Sequence, residues 1–252
     1  MEEEQVEPVY GAETYGERVA PVYDAWYDGV KPGMIDVLAS FAGGGPALEL
    51  GIGSGRIALP LVQRGIEVHG IDASESMVAL LRGKPGGERI PVRMDSFASV
   101  DGACEYGMVY VVFNTFFALL TQGDQVRCFA GAARALRPGG CFLMEAFVPD
   151  MTRFERGQCT NTTRVGLQEV MIDASLHDPV LQRVSSQHVV LSEAGVSLYP
   201  VEIRYAWPSE LDLMARLAGL RLKHRWAGWG VEPFTAGSGQ HISVWEKPLE
   251  DV

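Results

Sequence analysis

Val19, Val22, Tyr23 and Trp26 recur at i, i+3, i+4 and i+7, an apolar stripe along one face of a helix expected over residues 15–28. A second helix is expected over 32–42, stopped by Gly43-Gly44-Gly45. Residues 46–50 form a short apolar run that reads as a buried strand. Gly51-Ile52-Gly53-Ser54-Gly55 follows at once, and then a helix to about residue 64. The alternation continues with strand 66–71, helix 74–82, strands 90–94 and 106–113, and helix 123–136. Pro138-Gly139-Gly140 is a tight turn into strand 141–147. Strands alternating with helices predict βαβ units in a mostly parallel sheet, with right-handed crossovers placing helices on both faces.

After Pro149 the texture changes. Three β-like stretches are expected near 164–174, 182–192 and 196–207. In the last, Val201, Ile203, Tyr205 and Trp207 alternate with polar or small residues. Asp178-Pro179 and Glu193-Ala194-Gly195 are turn signals for antiparallel hairpins. Pro208 opens a helix to about 218, and strands near 220–227 and 241–246 close the chain. The expected plan is α/β. A core with N-terminal helices occupies 1–149, a β-rich lid 150–207, and a helix with two strands in 208–252 completes a seven-stranded sheet.

Composition narrows the function classes. Of 252 residues, 47% are apolar and 21% charged, ordinary for a globular chain that needs neither disulfide nor metal to hold its core. The net charge of −11 disfavours phosphate backbones, so nucleic acid is not an expected partner. The acidic run Glu2–Glu4 reads as a solvated tail. Cys104, Cys128, Cys141 and Cys159 form no CxxC pair and no zinc pattern, which suits reduced thiols in the cytoplasm. The sequence shows no signal peptide and no apolar run of about 18 residues, so neither export nor a membrane is expected. A small-molecule substrate is the expected partner, with a homodimer left open.

The candidate chemistry begins at the glycine bend. Glu49-Leu50-Gly51-Ile52-Gly53-Ser54-Gly55 lies between a strand and a crossover helix, where a parallel sheet binds ligands and where glycine lets a ligand approach the backbone. A dinucleotide loop wants GxGxxG. Here the sixth position is Arg56 counted from Gly51, or Ala58 counted from Gly53, and the run is GxGxG instead. Asp72 ends the second strand, where a carboxylate can accept from both ribose hydroxyls or cap the next helix. Asp95-Ser96-Phe97 follows the third strand and Phe113-Asn114 the fourth.

These features in this order resemble the motifs of class I S-adenosylmethionine (SAM)-dependent methyltransferases. The resemblance covers residues 15–150 well and the rest in outline. It implies a Rossmann-like class I methyltransferase fold and SAM as cofactor, with S-adenosyl-L-homocysteine as product. It implies cofactor contacts from Tyr23, Glu49, Gly51, Gly53, Gly55, Arg56, Asp72, Ala73 and Met77. Further contacts would come from Asp95, as partner of the adenine amine, and from Ser96, Phe97, Phe113 and Asn114. Val22–Tyr27 is similar to the N-terminal tyrosine segment of small-molecule methyltransferases, in which a tyrosine covers the cofactor and lines the acceptor pocket.

Methyl transfer from a sulfonium needs alignment, exclusion of water and, for many acceptors, loss of a proton. Glu145, Tyr23 and His188 are the catalytic candidates. Trp26, Tyr27, Phe147, Arg204, Tyr205, Trp207 and His241 are candidates for the acceptor side. No metal-ligand cluster is visible. A core followed by a β-rich insertion is similar in layout to N-methyltransferases of nucleotide-linked amino sugars in antibiotic biosynthesis. Methylation of such an amine leads the expected functions. An O-methyltransferase on a natural-product hydroxyl, a nucleotide-dependent dehydrogenase and a non-enzymatic SAM-fold protein are the alternatives.

Overall fold

The computed structural model describes residues 10–27, 29–43 and 45–249. Glu2–Glu4 and Gly44 lie outside the described residues. Two helices, α1 (Thr14–Trp26) and α2 (Met34–Phe41), precede the first strand. The core then runs β1 (Ala47–Leu50), α3 (Ala58–Gln63), β2 (Val68–Asp72), α4 (Glu75–Arg82), β3 (Val92–Met94), β4 (Tyr106–Val111), α5 (Gln122–Ala135) and β5 (Leu136–Phe147). The insertion carries β6 (Gln158–Val165), β7 (Glu169–Asp178), β8 (Arg183–Ser192) and β9 (Gly195–Arg204). The chain closes with α6 (Pro208–Leu217), β10 (Arg221–Trp226) and β11 (Gln240–Glu246).

Seven strands form one sheet in the order β10-β11-β5-β4-β1-β2-β3. Strands β1 to β5 pair in parallel, and the closing pair runs antiparallel, with β11 against β5. The sheet is thus the mostly parallel one expected from the sequence, a Rossmann-like methyltransferase fold with a second, antiparallel sheet of four strands, β6-β7-β8-β9. Every residue of β4 is buried, as a central strand covered on both faces must be. One core layer gathers Phe116, Phe129, Phe142 and Trp245, and the opposite layer gathers Met34, Leu38, Ile57 and Leu61. The chain leaves β1 toward β2 and β3, then returns to lay β4 on the other side of β1. This reversal opens a crevice above the C-terminal end of β1.

Two details differ from the sequence expectation. Strand β5 begins at Leu136, and a register shift against β4 between Tyr106 and Met108 accommodates Pro138-Gly139-Gly140. The expected stretch 164–174 is in fact a hairpin, because β6 ends at Val165 and β7 begins at Glu169. Strand β6 is a Thr-rich, largely exposed edge, so no alternation of apolar residues announces it.

The antiparallel sheet is anchored at two places. Tyr199 meets the Trp26 ring edge-on at 4.8 Å, fixing β9 to α1. Arg204 is buried and pairs with Glu210 of α6 at 2.8 Å while donating to Gln125 of α5 at 2.5 Å. Among the described residues no helix is long and apolar enough to cross a membrane.

Candidate active site

The glycine bend is built by backbone geometry. Gly51, Gly53 and Gly55 have φ of 70°, 54° and 75°, the left-handed region that side chains disfavour. A Cβ on Gly51 would lie 2.5 Å from Cγ2 of Thr115, and one on Gly55 2.3 Å from Cδ1 of Leu81. The bend is stapled to β2: the Gly51 amide donates to Ile71 O at 2.8 Å, and the Gly53 amide donates to Asp72 Oδ2 at 2.6 Å. Asp72 Oδ1 accepts from the Ser74 amide at 2.9 Å, and Ser74, not Asp72, caps α4 by accepting from the Met77 amide at 3.1 Å. Burial raises the Asp72 pKa, opposed by the amides of Ser74 and Gly53.

This acid stands in the wall of a cleft of about 290 Å³, close to the lower bound for small-molecule sites. Gly51, Gly53, Asp72, Ala73 and Met77 line it from the sheet ends, and Ser96, Phe97 and Thr115 from the loops beyond β3 and β4. Tyr10, Gly11, Tyr15, Gly16 and Tyr23 cover it from the N-terminal segment. Helix α1 is held there by two clasps. Glu17 accepts from Ser74 Oγ at 2.7 Å and from the Ser76 amide at 3.0 Å, and also from Ser76 Oγ. Asp24 accepts from Ser54 Oγ at 2.7 Å and pairs with Lys84 at 2.7 Å. A more open groove of about 630 Å³ lies beside His69, Arg82, Arg93 and Tyr106. It is the larger, but it touches no residue of the glycine bend.

A small recess of about 20 Å³ adjoins the glycine bend, lined by Tyr23, Glu49, Arg56, Phe113 and their neighbours. Glu49 is 3% exposed; burial pushes its pKa up to about 8, opposed by the Tyr110 hydroxyl that donates to it at 2.9 Å. The Arg56 guanidinium lies 4.6 Å from the Phe113 ring centroid and donates to Gly29 O at 3.2 Å, while its buried Nε has no partner. Aromatic rings wall the mouth. Tyr27 meets Tyr23 at 5.0 Å and Phe113 at 4.9 Å, and its hydroxyl is 3.4 Å from that of Tyr15. Burial raises the pKa of both Tyr15 and Tyr23, so both are phenols at neutral pH.

The structure brings most of the expected cofactor residues together and redistributes the others. Gly55 shapes the bend but lines neither cavity. Asp95 caps its own neighbour, accepting from the Ser96 amide at 2.7 Å, and lines neither cavity. Asn114 accepts from the Phe147 amide at 2.8 Å and acts in the turn; the Phe147 ring packs on Phe117 at 4.8 Å. Glu145 is engaged by three donors, Lys31 at 2.6 Å, Trp229 at 3.1 Å and the Phe113 amide at 2.8 Å.

His188 lies on β8, 2.5 Å from Asp173, with its ring 6.5 Å from that of Trp26. On the acceptor side several expectations require correction. Arg204 is occupied in its buried ion pair, and the Tyr205 hydroxyl is bound to His177 at 2.9 Å. Trp207 is 41% exposed at the start of α6. His241 is fully buried, bonded to Ser243 Oγ at 2.8 Å, with a pKa lowered to about 4 by burial. The alternation Val201, Ile203, Tyr205, Trp207 marked one face of the last lid stretch; Arg204, Tyr205 and His241 are each bonded to structural partners. Sequence reasoning missed Tyr10, Gly11, Tyr15, Gly16 and Thr115. The tyrosine spacing Tyr15, Tyr23, Tyr27 was the available signal for the first wall.

A doubly wound sheet with a glycine bend, an acid ending β2 and one covered cleft at the switch point is the plan of a nucleotide-cofactor enzyme. The comparisons with known proteins specify the class. A family profile described as "Methyltransferase domain" matches residues 47–140. The solved structure of the CcbJ methyltransferase from Streptomyces caelestis is 39% identical, with a TM-score of 0.87 over 95% of this chain and all of that one (100%). The cypemycin N-terminal methyltransferase of Streptomyces sp is 25% identical over 92% of this chain and 97% of its own length. SAM-bound CalS10 of Micromonospora echinaspora, an amino pentose methyltransferase involved in calicheamicin biosynthesis, shares the fold at 20% identity. Its TM-score is 0.65, over 94% of this chain and 98% of that one. The chain belongs to the SAM-dependent methyltransferases. It is an enzyme of that class, and SAM is its cofactor. The site fits that cofactor: Gly51 and Gly53 line the cleft with bare backbone, Asp72 stands in its wall, and Arg56 has a buried nitrogen without a partner.

Proposed function

We propose that this chain methylates the amine of a small-molecule acceptor, a sugar amine of secondary metabolism, in the cytoplasm. The observation that carries the preference for nitrogen is the state of the candidate bases. Glu145 receives three donors, His188 is bound to Asp173, and His241 is fully buried. A hydroxyl acceptor must lose its proton to become a good nucleophile, whereas a neutral amine already offers its lone pair. A site whose carboxylate and imidazoles are engaged elsewhere, and in which burial raises the pKa of Tyr15 and Tyr23, suits the amine. Two relatives support the reading: one is a cypemycin N-terminal methyltransferase and one, KedS8 of Streptoalloteichus sp, a sugar N-methyltransferase. Four free cysteines accord with a reducing compartment.

When bound, SAM supplies an electrophilic methyl group on a sulfonium. In this reading the residues divide the work. Gly51 and Gly53 admit the cofactor to the backbone, and Asp72 takes the ribose hydroxyls. Arg56 meets the carboxylate of the methionine end. Ser96 and Phe97 bound the adenine. Tyr15, Tyr23, Tyr27 and Phe113 form a dry aromatic mouth that holds the acceptor nitrogen in line and keeps water out. The faces of these rings would stabilise the positive charge that an alkylated nitrogen carries until it gives up its proton.

The test is product analysis. Incubation with SAM and a panel of amino sugars, each paired with its hydroxyl counterpart, should give a product whose fragmentation places the methyl on nitrogen. Methylation of the hydroxyl counterparts alone would refute the assignment.

A further inference from the structure

We infer that Glu145 is a positioning residue: it holds the turn after β4 in a strained form that aims Phe113 into the site. Phe113 and Asn114 have φ of 59° and 63°, two consecutive non-glycine residues in the left-handed region. Asparagine tolerates that region, whereas phenylalanine enters it only against a steric cost. The turn persists because Glu145 grips it twice. Its Oε2 accepts from the Phe113 amide at 2.8 Å, and its backbone carbonyl accepts from the Asn114 amide at 3.2 Å.

The carboxylate is itself held. Oε1 accepts from Lys31 at 2.6 Å and from the buried Trp229 indole at 3.1 Å. The side chain is 3% exposed, while that of Lys31 is 45% exposed. Three donors therefore converge on two oxygens, so the group is a fixed acceptor. Its product is the placement of the Phe113 ring, between the Arg56 guanidinium at 4.6 Å and the Tyr27 ring at 4.9 Å. The inference rests on the reading that the recess lined by Arg56 and Phe113 receives the methionine end of the cofactor.

An amide cannot replace this carboxylate. Glutamine has one acceptor oxygen, so Glu145→Gln must point an N–H either at the Phe113 amide or at Lys31 and Trp229. Lys31 can turn to water, so the fold survives, but the Phe113 amide and the buried Trp229 indole then compete for the one remaining oxygen, which weakens the grip on the turn. The experiment is a double-mutant cycle of Glu145→Gln and Phe113→Ala, read by calorimetric titration with S-adenosyl-L-homocysteine.

We expect each single variant to bind about tenfold more weakly, and the double variant no more weakly than the poorer single. The Phe113 amide and Trp229 indole resonances should both move in Glu145→Gln. Additive losses, or Glu145→Gln affinity equal to the starting protein with an unmoved Phe113 amide, would overturn the inference. Glu145→Asp, which keeps the charge but withdraws the acceptor, supplies a second variant with the same expected loss. Absence of homocysteine-product binding by the unmodified chain would instead count against the reading of the recess; the Phe113 amide shift tests the grip without any ligand.

Discussion

Glu49 shows how one buried side chain carries both legible and illegible information. Its place before the glycine bend was readable from the motif; its protonation was not, because that follows from burial. The carboxyl titrates near 8 in the fold against an ordinary 4.5. The folded chain therefore holds a proton there that the unfolded chain has released, so stability from this group falls as pH rises from about 4.5 to 8. Glu49→Gln has no charge to bury and keeps an acceptor for Tyr110. Its melting temperature should exceed that of the parent at pH 9 by at least about 4 °C, taking roughly 2–4 °C per kcal/mol. The difference should fade below about pH 5. A difference independent of pH would contradict the assignment. His241 contributes the same background to both proteins. Gly51 is a second residue-scale case. Gly51→Ala meets both a φ of 70° and the Thr115 methyl at 2.5 Å, so cofactor affinity should drop at least about tenfold while a circular dichroism spectrum stays unchanged. Equal affinity would show that the bend is not the cradle.

At the scale of elements, α1 acts as a cover with two polar latches onto α4 and the glycine bend. The helix was legible from its apolar stripe. The latches were not, since Glu17 reaches Ser74 and Ser76 across 57 and 59 residues of chain. Cutting both latches with Glu17→Ala and Asp24→Ala should speed release of S-adenosyl-L-homocysteine about tenfold in stopped-flow chase. An unchanged release rate would mean that α1 does not gate the cleft. The antiparallel sheet β6–β9 is the part least readable from sequence. Its hairpin turns were marked by Asp178-Pro179 and by Gly195, but the polar edge strand β6 carried no periodic signal. Its anchor is equally hidden, because Arg204 looks like a pocket cation until Gln125 and Glu210 are seen beside it. Arg204→Met leaves Gln125 Oε1 without its donor and takes the cation from Glu210, which keeps Gln122 and Gln182 as donors. It should cost about 2–3 kcal/mol in urea unfolding, with cofactor affinity held within about twofold. Lost affinity at unchanged stability would return Arg204 to the binding site.

For the whole molecule, the alternation of strands and helices sufficed to announce a mostly parallel sheet completed by two late strands, because each element reports its burial in its own period; the antiparallel sense of that closing pair and the strand order that opens the crevice come from pairing between distant segments. The site is a property of several elements at once, so only its backbone half was legible. The glycine bend and the acid after β2 were marked by position, while the tyrosine wall, the engaged bases and the turn at Phe113 emerge from contacts between distant segments. The net charge of −11 agrees with a small-molecule acceptor rather than a polyanion. The most direct measurement is isothermal titration of S-adenosyl-L-homocysteine into the unmodified chain and into Asp72→Ala, with melting temperatures taken in parallel. The account predicts one site on the former and at least about a hundredfold loss on the latter, with melting temperatures within a few degrees. No heat from the unmodified chain at millimolar ligand, or equal affinity in both, would contradict it.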